Sequence, residues 1–130
     1  MTDYTDRSTE IKIGDEEYSL ILTTRATREI AKRYGGLEAL GDKLLKTENF
    51  EKALDEIVWL ITLLCNQSLM IYNLKHKDEK KELLTQEHVE LLTNPLDMAK
   101  YKDAIMNAIY KGVSRNVESE SEPTKNTLTE

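Results

Sequence analysis

The chain has 130 residues, enough for one domain with a real core and too few for two. Its 32% charged and 39% hydrophobic residues give a globular balance, and only 5 Gly and 2 Pro argue against a turn-rich sandwich or barrel. With 18 Lys and Arg against 24 Asp and Glu the net charge is −6, which disfavours a general binder of nucleic acid or anionic membrane.

Residues 1–8 are polar, lack an apolar period and read as a flexible N-terminal arm, not a signal peptide. A hairpin is predicted over residues 9–22. Ile11 and Ile13 alternate with charged residues, Tyr18, Leu20 and Leu22 alternate with Ser19 and Ile21, and Gly14-Asp15 supplies the turn. A lone two-stranded hairpin is marginal, so it must lie on helices or join a sheet from another copy.

Thr23-Thr24 signals the N-cap of a helix from Arg25 to Tyr34, with Ala26, Ile30, Ala31 and Tyr34 near one face and Gly35-Gly36 as its stop. A shorter helix from Leu37 to Lys46 turns Leu37, Leu40, Leu44 and Leu45 inward. Thr47 opens the longest element, whose apolar period lasts to about Leu74 before the charged stretch Lys75 to Glu82. Thr85-Gln86-Glu87-His88 resembles a capping box for a short helix with Val89, Leu91 and Leu92, broken by Asn94-Pro95. The last predicted helix runs from about Leu96 to Lys111 and stops at Gly112. Residues 113–130 are rich in Ser, Glu, Thr and Asn and are expected to form a flexible polar tail.

The predicted fold class is therefore mainly α with a small N-terminal β-hairpin, about five helices surrounding one long central helix. Residues 9–112 form its single globular domain, the hairpin over 9–22 and the helices over 24–112.

No reactive constellation is legible. His76 lies in a run of Lys and Asp and His88 opens a helix, neither beside residues spaced for a metal or a nucleophile. Cys65 cannot form an internal disulfide and suits a reducing compartment. Gly35-Gly36 follows a helix, not a strand, so it is no phosphate loop. The reading is no enzyme, no cofactor and no metal.

Two features remain. Arg25, Arg28 and Lys32 form a basic stripe at i, i+3 and i+7 on the first helix, with Arg33 nearby. The acidic chain and the following Glu38 and Asp42 make this a solvated face or a contact for an acidic protein, in preference to a DNA reader. The long helix carries two apolar stripes. Phe50, Leu54, Ile57, Ile61 and Leu64 form the first, edged by Ala53, Leu60, Cys65, Ile71 and Tyr72. Trp59, Leu63, Met70 and Leu74 form the second, on nearly the opposite side, with Asn66 and Asn73 beside it. A helix apolar on two faces is either central or shared with a partner. Either the terminal helix, through Met98, Tyr101, Ile105 and Ile109, covers the second stripe, or a partner does.

The stretch from Ile11 to Leu45 carries a family pattern. A hairpin ending in Tyr18-Ser19-Leu20-Ile21-Leu22-Thr23-Thr24-Arg25-Ala26 leads into Arg28-Glu29-Ile30 and Lys32-Arg33-Tyr34-Gly35-Gly36-Leu37. It resembles the N-terminal region of tail assembly chaperones from long-tailed bacteriophages and prophages, in particular the group found with Gram-positive hosts. The resemblance implies a small helical protein of the bacterial cytoplasm, absent from the finished virion. Its implied partners are the tape measure protein, which it coats and keeps soluble, and the tail tube subunits that it recruits, with self-association along the client. Many such proteins have a longer frameshifted form, and this chain looks like the short one. No nucleic acid or membrane partner is expected. Two other readings stand beside it: a small phage-derived DNA-binding regulator using Arg25, Arg28 and Lys32, and a structural tail connector.

Overall fold

The computed structural model describes residues 7–46 and 48–128, the side chains of Leu45 and of residues 115–128 excepted. Strands β1 (Thr9–Ile13) and β2 (Glu16–Leu20) pair antiparallel, Thr9 opposite Leu20 and Ile13 opposite Glu16. Gly14 alone of the two loop residues has positive φ, 62°, the pattern of a type II′ turn whose twist suits a hairpin. The hairpin does not need a second copy. β2 lies on the long helix and β1 on the last one.

One detail departs from strand alternation. Ile21, expected on the outer face, is fully buried. The strand ends at Leu20, and the chain then crosses the long helix, where the Ile21 N–H donates to the Leu64 carbonyl (3.2 Å). Period two stops where the pleat stops.

Helix α1 (Thr24–Tyr34) begins at Thr23, whose hydroxyl accepts from the Ala26 N–H, and ends at Gly35, φ 96°. Its buried residues are Ala26 and Ile30, while Ala31 faces outward. Helix α2 (Leu37–Lys46) buries Leu40 and Leu44. The expected inward position of Leu45 lies outside the described side chains, and Thr47 outside the described residues.

Helix α3 (Phe50–Lys75) starts later than expected, at an Asn49 cap whose side chain accepts from the Lys52 N–H. It is the one described helix long and apolar enough, by length and composition, to cross a bilayer. Here the chain's own elements bury Ile57, Val58, Leu60, Ile61, Leu64, Cys65 and Leu69. Phe50, expected in that stripe, is 64% exposed, because the first turn of α3 projects beyond the elements that cover the rest.

Helix α4 (Gln86–Leu92) has the expected capping box, Thr85 with His88 as the reciprocal residue. Only Val89 is buried there, and Leu91 and Leu92 stay exposed, as a two-turn helix can present a single residue to the core. Asn94 then caps a 3-10 turn at Pro95–Asp97. Helix α5 (Met98–Leu128) packs on α3 and β1, burying Met98, Tyr101, Ala104, Ile105, Ala108 and Ile109. The Tyr101 hydroxyl donates to the Lys12 carbonyl (2.6 Å), tying the last helix to the hairpin.

The expected stop at Gly112 is not a stop. Gly112 is helical and buried, and the segment expected as a flexible polar tail continues the helix to Leu128. Residues 129–130 and residues 1–6 of the expected arm lie outside the described residues. The glycine serves close packing instead of capping, since a Cβ there would stand 2.8 Å from the Leu22 Cβ. In an open helix Gly→Ala gains about 1 kcal/mol, whereas overpacking costs ~1–3 kcal/mol. Gly112→Ala is therefore expected to lower stability by about 1 kcal/mol in chemical denaturation. A gain would place α5 farther from Leu22 than described.

Candidate binding cleft at the end of the long helix

The second stripe of α3 is covered along its first half and open at its end. Contacts from α1 and its N-cap supply cover there. Near the start of α3 the Tyr34 ring meets Trp59 edge-on, centroids 6.1 Å apart, and the Arg33 guanidinium lies 4.5 Å over the indole. Glu56, buried beside them, accepts from the Tyr34 hydroxyl and from Arg33 Nε (3.3 Å). Toward the other end of α1, the Thr23 hydroxyl donates to buried Gln67, and Arg25 Nη1 reaches Met70 Sδ at 3.4 Å. Helix α1 thus runs antiparallel along the stripe, and Trp59 and Leu63 are half-buried against the core.

Beyond the start of α1 the cover ends. A cleft of about 440 Å³ opens there, floored by Met70, Ile71, Leu74 and Leu83. Leu74 is 73% exposed, an unusual state for an apolar residue on a central helix. Among the described residues, Arg25, Lys77 and Lys80 also line the cleft and no acidic one does. In a chain of net charge −6 this is a local reversal of sign. A larger cleft of about 770 Å³ beside the hairpin turn has a mixed lining that includes Asp15, Glu16, Glu17 and Lys81.

The structure separates the residues of the basic stripe. Arg25 belongs to the cleft. Lys32 pairs with Glu29 (3.4 Å) one turn away, and Arg28 stays on the exposed face between them. Of the second stripe, Met70 and Leu74 line the cleft, whereas Trp59 meets Tyr34 of α1 and Leu63 packs half-buried against the core. Lys77, Lys80 and Leu83 are cleft residues that sequence reading passed over. They sit in a charged stretch without period, and only its return along α3 places them at the cleft.

The remaining reactive side chains are accounted for locally. Among the described residues no cluster of His, Cys, Asp and Glu is arranged to hold a metal. His76 stacks on Tyr72, centroids 3.9 Å apart, and His88 closes the α4 cap. Burial pushes the Cys65 thiol well above its ordinary range, so it stays protonated and unreactive. No known protein family, curated protein or solved structure matches the chain.

Proposed function

We propose that this chain is a non-catalytic phage tail assembly chaperone acting in the host cytoplasm, which binds apolar helical segments of a tape measure protein and recruits tail tube subunits. The observation that carries the reading is the uncovered Met70–Leu74 end of α3, an apolar floor with a cationic rim on an acidic protein. The likeness of Tyr18–Leu37 to that family supports it. A helical client lays residues spaced i, i+3 and i+4 into such a groove. Acidic residues flanking its apolar face would meet Arg25, Lys77 and Lys80, and the chain's net negative charge would hold the complex in solution.

Co-expression with the tape measure protein of its own genome tests this. The wild-type chain is expected to move the client into the soluble fraction, and Leu74→Glu to lose most of that effect. Because Leu74 is exposed, the substitution should leave stability within about 0.5 kcal/mol. Equal solubilisation by both chains would remove the cleft from the interface. No solubilisation by the wild type would overturn the chaperone reading itself.

A further inference from the structure

Between α3 and α4 the chain returns along α3 as a strap, residues 76–85. Two asparagines of α3 hold it by its main chain alone. Asn66 donates to the Leu84 carbonyl (2.9 Å) and accepts from the Leu84 N–H (2.7 Å). Asn73 makes the same pair with Lys81, at 3.0 and 2.8 Å. A side-chain amide presents a donor and an acceptor side by side, as a peptide edge does, so each asparagine acts as one rung of a β-ladder. The spacings match: seven residues of helix rise about 10.5 Å, and three residues of extended chain span about 10 Å. The strap runs antiparallel to the helix.

We propose that the Asn66–Asn73 face of α3 is a receptor for extended main chain, and that Lys81–Leu84 is a resident occupant which an extended segment of a partner protein replaces. The surface adjoins the helix-binding cleft, which Asn73 and the strap residues Lys77, Lys80 and Leu83 also line, but the proposal does not rest on the chaperone reading. Its hydrogen bonds address the backbone, so they accept any side-chain order. Leu84 is the strap's one buried side chain, and Lys81, whose ammonium lies 4.4 Å over the Tyr72 ring, is exposed. The fitting partner is therefore an extended segment with a leucine-sized residue at one rung and a basic residue three positions before it. Replacement withdraws one core side chain, Leu84, whose place the partner's leucine-sized residue takes; every residue from 76 to 83 is exposed and Val89 anchors α4 separately.

The probe is a fluorescent peptide with the sequence of residues 79–86, titrated in anisotropy against the full chain. In the wild type the tethered strap competes at high effective concentration, so Leu84→Ala, which removes the anchor, is expected to tighten peptide binding roughly tenfold or more. Adding Asn66→Leu and Asn73→Leu to that variant should abolish binding. Equal affinity for wild type and Leu84→Ala, or binding that survives loss of both asparagines, overturns the proposal. Hydrogen exchange on the wild-type chain decides the matter if Leu84→Ala fails to fold. The Lys81 and Leu84 amides should exchange far faster than those of Ile61 and Leu64, since the strap opens without the core. Protection equal to the core's would show a fixed structural element and overturn replacement.

Discussion

Truncating Ile61 to alanine is expected to cost about 2–5 kcal/mol, the loss typical of a fully buried aliphatic side chain. Ile61 is fully buried midway along α3, with Ile57 and Leu64 on the same face one turn away on either side. Helix α3 carries β2 on one side and α5 and α4 on others, so a void at its middle has rigid walls. Transfer of the lost methyl and methylene groups and the unfilled cavity both count against the folded state. Urea titration should show a lower midpoint with an unchanged slope. A loss below about 1 kcal/mol would mean that the neighbours collapse onto the site and that α3 is less central than described. Leu74→Ala on the same helix is the control, because Leu74 lies largely in water.

Replacing Glu56 by leucine is expected to cost about 1–3 kcal/mol, although it adds an apolar side chain to a nearly buried position. The leucine leaves the Tyr34 hydroxyl without its acceptor and Arg33 without its counter-charge, at the point where α1 closes over Trp59. Arg33 is partly exposed and recovers water, so most of the loss falls on the tyrosine. Burial, reinforced by the hydrogen bond to Glu56, already pushes the Tyr34 hydroxyl well above its ordinary range. Glu56→Gln keeps an acceptor oxygen and should cost less. A double-mutant cycle with Tyr34→Phe should show coupling of about 0.5 kcal/mol or more, as for residues in one network. Additive effects would mean that the two groups do not share a bond in solution.

The Glu56 substitution bears on how α1 and α3 meet, and that contact separates what was legible in the sequence from what was not. Local features carried their own signals. Thr23 before an apolar period, Gly35 after it, Gly14-Asp15 between alternating runs, and the Thr85–His88 pair each satisfy backbone groups within a few residues. The double stripe of α3 also announced a helix in need of cover on two sides, and Asn66 and Asn73 stood out beside it.

Which element supplies the cover was not legible. The terminal helix and α1 both offer apolar faces, and the choice depends on where the chain turns after β2. There the Ile21 N–H bonds to Leu64 and sends α1 back along α3 from Gln67 to Trp59. Ile21 itself changes from an outer strand position to a buried one for the same reason. Gly112 read as a stop because glycine favours helix ends, yet its use depends on Leu22, ninety residues earlier in the chain. The cleft likewise needs Arg25 beside Lys77 and Lys80, and the ladder needs Asn66 beside Leu84. Sequence by itself determined the kind and order of the elements and the caps at Thr23, Gly35 and Thr85, because those follow from bonds and periods that close within a few turns. Only the tertiary structure decided which faces meet and which stay open, because that depends on contacts between residues far apart in the chain, where several apolar faces compete for the same partner.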